Sequence, residues 1–242
     1  MASQTITPNM PPSAERAVIF DMDGLLVNTE PLAFGASSRI LEERYGVSIP
    51  HDVMSSLVGL RADECWNRLR ALYGVHEGNA ELEELQAAYY APLLREQSEA
   101  MPGARELVVT LYDAGYPLAI ASSSPLWQIE TVLDRLAIRA MISTWASGFE
   151  VARGKPSPDV YLLAAERLGV PPARCVALED SGPGTQAAKN AGMFAIAVPS
   201  AETHGHSFER ADLVLPSLVG AAPHVVRLLD GHDAARSDAH DH

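Results

Sequence analysis

Cysteine, basic residues and long apolar runs are all scarce in this 242-residue sequence. Cys65 and Cys175 stand far apart and neither has a CxxC partner, so the sequence predicts neither a disulfide framework nor a zinc site. No apolar run approaches the roughly 20 residues that span a bilayer. Residues 1–16 lack the basic start and apolar centre of a signal peptide. We therefore expect a cytoplasmic protein with no membrane partner.

The shortage of positive charge excludes a second class of function. Lys and Arg number 18 against 31 Asp and Glu, which gives a formal net charge of −13. Such a chain offers no basic stripe to neutralise the phosphates of a nucleic acid, so we expect no nucleic-acid partner. A small phosphorylated ligand stays possible, because a metal ion and one or two local cations can hold it whatever the global charge.

The pattern along the chain predicts two units built on different principles. Residues 31–99 show apolar residues at helical spacing and no alternating strand pattern, which indicates a small helical module. Elsewhere strands, predicted at residues 18–20, 116–121, 175–178, 194–198 and 213–215, alternate with helices. This order is typical of an α/β fold with a doubly wound, mostly parallel sheet. We assign residues 1–15 to an N-terminal arm, 16–30 and 100–230 to a core domain, 31–99 to the helical domain, and 231–242 to a tail.

The first predicted strand ends in two acidic residues. Apolar residues 18–20 run into Asp21 and Asp23, which stand one residue apart before Gly24. In an open α/β sheet the carboxyl ends of the strands are where ligands bind. Two acids there are unfavourable unless a cation or a proton accompanies them. A solvated turn remains an alternative, whereas an EF-hand does not fit, because Leu26 and Leu32 occupy the positions of its glycine and glutamate.

Two further motifs offer groups that could hold an anion. Residues 121–125 contain three serines before Pro125, which predicts Ser124 as the N-cap of the next helix. The free backbone N–H groups at such a helix start form an anion site, although the serines could merely cap the helix. Lys155 lies between Gly154 and Pro156 in a restricted loop, which suits a cation held in place as well as it suits an ordinary surface lysine.

A second pair of acids follows another predicted strand. Glu179 and Asp180 come directly after the apolar residues 175–178, and Ser181 and Gly182 then turn the chain. Together with Asp21 these residues supply the hard oxygen ligands that Mg²⁺ prefers. Four strand-end motifs of this kind in one α/β chain favour a common site.

These four motifs resemble, in their order and spacing, those of the haloacid dehalogenase-like hydrolases. The resemblance covers residues 16–220 and rests on Asp21-Met22-Asp23-Gly24, Ser122, Lys155, and Glu179-Asp180-Ser181. Thr29-Glu30-Pro31 and Gly59-Leu60-Arg61 resemble the sugar-phosphatase and β-phosphoglucomutase branch of that family. The helical domain resembles the family's cap, which closes over the site and excludes water.

The resemblance implies a division of roles between the two acids of the first motif. Asp21 would attack a phosphoryl phosphorus and form a covalent aspartyl-phosphate. Asp23 would protonate the leaving alkoxide and then deprotonate the attacking water. Mg²⁺ would be held by Asp21, the backbone carbonyl of Asp23 and Asp180, with Glu179 as a further candidate ligand.

The resemblance also implies phosphate-binding groups and a substrate contact in the cap. Ser122, the Ser123 amide and Lys155 would hold the phosphoryl oxygens. Arg61 is the candidate cap residue that faces the substrate, and its alternative is a solvated arginine at a helix start. We therefore expect a monomeric, Mg²⁺-dependent phosphatase that acts on a small phosphorylated metabolite such as a sugar or polyol phosphate.

Two other functions remain as alternatives. A β-phosphoglucomutase-type enzyme would pass the phosphoryl group to a sugar hydroxyl, but that pattern has a histidine where this chain has Ala33 and a Lys-Asn pair where it has Pro125-Leu126. A non-catalytic binding protein on the same scaffold would be favoured by a missing motif residue. All five central motif residues are present, which argues against a non-catalytic protein: Asp21, Asp23, Ser122, Lys155 and Asp180. Because the groups of the mutase pattern are missing, hydrolysis is the preferred function.

Overall fold

The computed structural model describes residues 15–58 and 60–231, which fold into a parallel sheet flanked by helices. The strands are β1 (Ala17–Phe20), β2 (Leu118–Ser122), β3 (Thr144–Ser147), β4 (Cys175–Glu179), β5 (Phe194–Ala197) and β6 (Leu213–Val214). The α-helices are α1 (Glu30–Tyr45), α2 (His51–Ser55), α3 (Ala62–Tyr73), α4 (Asn79–Gln97), α5 (Ala104–Asp113), α6 (Leu126–Arg135), α7 (Asp159–Leu168), α8 (Gly182–Asn190) and α9 (Ala222–Gly231). Apart from residues 15 and 231, the predicted arm and tail lie outside the described residues, as does Gly59.

The sheet confirms the predicted fold class. Its strand order is β3-β2-β1-β4-β5-β6, and every neighbouring pair is parallel. Phe20 of β1 pairs with Ile120 on one side and with Leu178 on the other. From β1 the chain adds β2 and β3 on one side, and it then adds β4, β5 and β6 on the other side. This reversal places the topological switch point at the carboxyl ends of β1 and β4.

The two faces of the sheet differ in side-chain size. Val18, Phe20 and Ile120 belong to the apolar cluster on one face, which includes residues of α5, α6 and α9. The opposite face carries Ile19 and alanines of β2, β4 and β5, and it packs against α7 and α8. Small side chains let a helix lie close to the strands at native packing density. This close packing buries Tyr161 of α7 near the site described below.

Helices α1–α4, here called the helical insert, have a hydrophobic cluster of their own. It is centred on Ile40, Leu41, Trp66, Leu69 and Leu82, all of them nearly inaccessible to solvent. The insert lies between β1 and α5, so the chain enters and leaves it close to the sheet. The domain boundaries that we assigned from the sequence stay a prediction.

The two segments that connect the insert to the sheet run side by side. Val27 and Ala100 form an antiparallel bridge. The Asn28 N–H donates to the Glu99 carbonyl at 2.9 Å, and the Met101 N–H donates to the Leu26 carbonyl at the same distance. The entry and exit of the insert are therefore joined through their backbones.

The structure corrects two sequence-based expectations. Strand β3 was not predicted, because it has only four residues and two of them, Thr144 and Trp145, are partly exposed, so no apolar run marks it. The predicted N-cap at Ser124 is wrong: α6 begins at Leu126 with Pro125 as its N-cap residue. None of the described helices combines the length and the hydropathy that a membrane crossing requires.

Candidate active site

Asp21 lies at the point where β1 leaves the sheet. Its backbone N–H donates to the Leu178 carbonyl of β4 at 2.9 Å, so the residue continues the parallel ladder by one position. Its carboxylate is buried, whereas Asp23, two residues further on, is half-buried. The predicted pair of acids therefore stands at the switch point, with one carboxylate inside the protein and the other closer to solvent.

A tight turn after Asp23 brings the second acidic motif close. Gly24 has a φ of +80°, and its N–H donates to the Val27 carbonyl at 2.9 Å. A Cβ atom at Gly24 would collide with the carboxylate of Asp180. Only glycine meets both demands here, since it adopts positive φ readily and leaves room for the neighbouring side chain.

The carboxylate of Asp23 is held by four side-chain donors. On Oδ1 it accepts from Thr29 Oγ1 at 2.6 Å and from Gln128 Nε2 at 3.0 Å. On Oδ2 it accepts from Ser124 Oγ at 2.7 Å and from Ser122 Oγ at 3.2 Å. Donors from three separate segments therefore fix the orientation of this carboxylate.

Lys155 joins the two acidic motifs. Its buried Nζ donates to Asp21 Oδ1 and to Glu179 Oε1, each at 2.5 Å. Tyr161 Oη donates to the same Glu179 oxygen at 2.8 Å. Burial alone lowers the pKa of Lys155, but the carboxylates of Asp21 and Glu179 outweigh this effect and raise the pKa above its ordinary value.

The carboxylates of Asp21, Glu179 and Asp180 form a buried cluster that could hold a metal ion. One oxygen from each residue lies within 4.8 Å of the others. Burial raises the pKa of Asp21 and of Asp180 well above ordinary values, and Glu179 adds to both shifts. Three buried carboxylates share the single ammonium group of Lys155, so the cluster is short of positive charge. This donor set fits a hard divalent cation.

The hydrogen bonds distinguish Glu179 from the other two acids. Its Oε1 accepts from Lys155 and Tyr161, and its Oε2 accepts from the backbone N–H of Ser181 at 3.2 Å and from Ser181 Oγ at 2.9 Å. Gly184 has no side chain at this point, and a Cβ there would overlap the Glu179 carboxylate. Glu179 is thus fixed at both oxygens and orients Lys155. Asp180 accepts from Ser200 Oγ at 2.9 Å through Oδ2.

A cavity of about 230 Å³ lies between the strand ends and the helical insert. Asp21, Asp23 and Ser123 line its sheet side. On the insert side the lining is mostly apolar, from residues such as Phe34, Leu57, Trp66 and Leu69, with the polar residues Glu30, Ser37, Glu83, Gln86 and Tyr90 among them. The cavity can therefore hold a small molecule against the two acids of the first motif.

Arg61 lies at the boundary between the insert and the sheet domain. Its guanidinium carbon is 5.3 Å from the centre of the Phe149 ring, its Nε is 3.1 Å from Asp63 Oδ1, and its Nη1 donates to the Val151 carbonyl at 3.5 Å. Its aliphatic stem packs against Gly154, directly before Lys155. Arg61 is not one of the described residues that line the cavity.

Sequence reasoning predicted none of the four hydrogen bonds to Asp23, and among the donors only Ser122 was named as a site residue, for the phosphoryl oxygens. Gln128 carried a usable signal, because it lies one helical turn before the buried Val132 and is therefore a polar residue on the buried face of α6. Ser124 was assigned to a helix cap instead. Thr29 was noted only as part of a branch resemblance, and no pattern indicated that its hydroxyl contacts Asp23.

The comparisons with known proteins agree with this geometry. A family model described as haloacid dehalogenase-like hydrolase matches residues 18–198. Hexitol phosphatase B of Escherichia coli K12 is 37% identical over 207 residues, which cover 84% of this chain and 92% of that protein. The crystal structure of CbbY from Rhodobacter sphaeroides with phosphate is 30% identical, with a TM-score of 0.77 and coverage of 86% of this chain and 96% of that one. A CbbY variant with xylulose-1,5-bisphosphate is also 30% identical, with a TM-score of 0.76 and coverage of 85% and 95%.

The raised pKa values of Asp21 and Asp180 predict how pH affects the metal-free protein. The folded state keeps protons on these groups that the unfolded chain releases above about pH 4, so their contribution to stability is lost as pH rises. In EDTA, the free energy of unfolding of wild type should fall relative to that of Asp180→Asn as pH rises. Urea denaturation across about pH 5 to 8 measures this difference, and parallel profiles for the two proteins would contradict it.

The turn at Gly24 gives a second prediction with a matched control. Gly24→Ala and Gly192→Ala both place a side chain at positive φ, +80° and +81°, which destabilises by about 1–2 kcal/mol. Only at Gly24 does the new Cβ collide with Asp180, whereas Gly192 has open space around it. Gly24→Ala should therefore lose more stability in urea denaturation. We also expect added Mg²⁺ to stabilise wild type and not Gly24→Ala. Equal losses in the two variants would show that only backbone strain matters.

Proposed function

Because the chain belongs to the haloacid dehalogenase-like hydrolases and is a phosphoric monoester hydrolase, we propose that it dephosphorylates a sugar or polyol phosphate through an aspartyl-phosphate on Asp21. The observation that carries this proposal is the buried cluster of Asp21, Lys155, Glu179 and Asp180, which adjoins a cavity lined by Asp23. The names of related proteins, such as hexitol phosphatase B, support a polyhydroxylated substrate.

In the first proposed step a carboxylate oxygen of Asp21 attacks the phosphorus of the bound ester. The bond between phosphorus and the ester oxygen breaks, and the departing alkoxide takes a proton from Asp23. The four donors around Asp23 hold its carboxyl group in one orientation for this transfer. Lys155 and the Ser123 N–H hold the phosphoryl oxygens. The Ser122 hydroxyl has one proton to donate, and it turns from Asp23 to the phosphoryl group while Asp23 is protonated.

In the second step water attacks the phosphorus of the aspartyl-phosphate. Asp23 now takes the proton from this water, which restores its own protonation state, and the Asp21 carboxylate leaves as inorganic phosphate forms. One residue therefore acts as the acid in one step and as the base in the other. Because Asp21 is a nucleophile in this scheme, a difficult displacement is divided into two easier ones.

The buried carboxylates support the proposal that the protein binds Mg²⁺. Asp21 and Asp180 would hold the ion together with the backbone carbonyl of Asp23, whereas Glu179 has both oxygens occupied by hydrogen-bond donors. The chemistry that Mg²⁺ supplies when bound is the neutralisation of charge between the carboxylates and the phosphoryl oxygens. Lys155 supplies a second positive charge beside Asp21 and favours its ionised form.

The cavity supports a leaving group that carries hydroxyl groups. Ser37, Gln86 and Tyr90 offer neutral hydrogen-bonding groups, and Glu30 lies among them. Burial raises the pKa of Glu30 to about 8, and the nearby Asp23 and Asp21 carboxylates add to the shift. Near neutral pH the Glu30 carboxyl therefore holds a proton and can both donate and accept hydrogen bonds with a sugar or polyol hydroxyl.

Hydrolysis is favoured over transfer to a second sugar hydroxyl. Ala33 and Pro125 line the cavity at the positions where the mutase pattern carries a histidine and a lysine. Neither side chain can hydrogen-bond a sugar and so reserve Asp23 for its hydroxyl rather than for water. The bisphosphate bound by the CbbY variant indicates that a second phosphate is compatible with this family's fold, so the lining of each cavity decides what is accepted.

Replacing either carboxylate of the first motif should impair a different step of the reaction. Asp21→Asn removes the nucleophile, so we expect no acid-stable phosphoenzyme and no Mg²⁺-dependent release of p-nitrophenol from p-nitrophenyl phosphate. Asp23→Asn keeps the nucleophile but loses proton transfer, which should lower kcat by roughly 10²–10⁴-fold while phosphoenzyme still forms.

Asp113→Asn is the matched control, because Asp113 is exposed at the end of α5. It should match wild type in both measurements. Full activity in Asp23→Asn would refute its assignment as acid and base. Absence of wild-type turnover with metal present would instead favour a non-catalytic binding protein.

A further inference from the structure

Helix α4 lines the cavity along one side with regularly spaced residues. Gln86, Ala87 and Tyr90 lie three, four and seven positions after Glu83, so the four residues share one face of the helix. Tyr90 marks the reacting end, because Gln128 Nε2 donates both to Tyr90 Oη at 3.2 Å and to Asp23 at 3.0 Å. Seven residues of helix rise by about 10 Å, so Glu83 stands at the far end of the cavity.

This distance matches the length of the proposed substrates. The five carbon–carbon bonds of an extended six-carbon chain span about 6 Å, before a phosphate is added at either end. If the reacting phosphate lies against Asp21, the far end of such a molecule therefore comes close to Glu83. A group carried there must be compatible with the charge of this residue.

The cavity is lined by acidic side chains and by no basic ones. Among the residues that the structure describes, the acidic lining residues are Asp21, Asp23, Glu30 and Glu83, with no lysine, arginine or histidine. Glu30 is protonated near neutral pH, so at the far end the charge comes from Glu83. Asp63 adds a further negative charge near Glu83, while the nearby Arg61 is paired with Asp63. A second phosphate at the far end would meet like charges and no lining cation, and such juxtaposition is strongly unfavourable.

We propose that Glu83 makes the cavity selective for phosphate monoesters whose leaving group carries no second anionic group. The inference rests on the proposed function and names its substrate class: neutral sugars or polyols carrying one phosphate. Glu83 acts on binding, not on the reacting atoms, and it discriminates by repelling bisphosphates rather than by attracting one particular sugar.

The test compares glucitol 6-phosphate with glucitol 1,6-bisphosphate as competitive inhibitors of p-nitrophenyl phosphate hydrolysis. Free Mg²⁺ is held constant, because the bisphosphate binds this ion itself. For wild type we expect the ratio of the bisphosphate Ki to the monophosphate Ki, here called the Ki ratio, to be roughly 100. Equal Ki values, tighter binding of the bisphosphate, or no inhibition by either compound would overturn the proposal. Tighter bisphosphate binding that is lost in Arg61→Gln would identify Arg61 as a receptor for the second phosphate.

Two variants connect the effect to Glu83. Glu83→Lys should reduce the Ki ratio by roughly tenfold or more, chiefly by strengthening bisphosphate binding, and Glu83→Gln should reduce it by a smaller factor. Glu84→Lys is the matched control, since it makes the same charge change at the next, exposed residue of α4 and should leave the ratio as in wild type. Equal effects at residues 83 and 84 would refute a role for the cavity position.

The outcomes separate this inference from the proposed function. Wild-type protein that releases no p-nitrophenol with Mg²⁺ present refutes the proposed function itself. Wild-type protein that turns over p-nitrophenyl phosphate but does not discriminate between the two glucitol phosphates refutes only the selectivity of the cavity.

Discussion

The ion pairs of Lys155 with Asp21 and Glu179 connect segments that are distant in the chain. Lys155 is 134 residues from Asp21, and its ammonium group is the positive charge that these buried carboxylates share. A buried ion pair is weak evidence for stability, because the free energy of removing the charges from water offsets most of their attraction. The arrangement is therefore better explained by the reaction than by folding. It can form only when β1, β4 and the loop before α7 are all in place.

The construction of the sheet makes this arrangement possible. The alanine-rich face lets α7 lie close to the strands, so that the Tyr161 hydroxyl reaches Glu179. The opposite face carries the larger apolar side chains and supplies most of the apolar packing around α5, α6 and α9. Both faces therefore stabilise the domain by apolar burial, and the alanine-rich face also lets α7 support the charged residues at the edge of the sheet.

What the sequence could predict depended on whether the signal was local. An apolar run followed by an acid marks the end of a buried strand, so Asp21, Glu179 and Asp180 were found together with the strands that carry them. The hydrogen bonds of Thr29, Ser124 and Gln128 to Asp23 depend on how three separate segments pack, and no single stretch encodes that packing. The placement of Arg61 against Phe149 is of the same kind, as it requires the insert and the sheet to be positioned together. Strand β3 was not predicted, because its four residues carry no strong hydrophobic pattern.

The paired segments that connect the insert to the sheet have a mechanical consequence. Their backbones are hydrogen-bonded to each other at residues 26–28 and 99–101. We expect these bonds to keep the two segments together, so that the insert moves by rotation about their common axis. Thr29 follows directly after one of these segments, and its hydroxyl holds Asp23. We therefore expect rotation of the insert to change the support of Asp23, and so to couple access to the cavity with the proton transfer proposed for this residue.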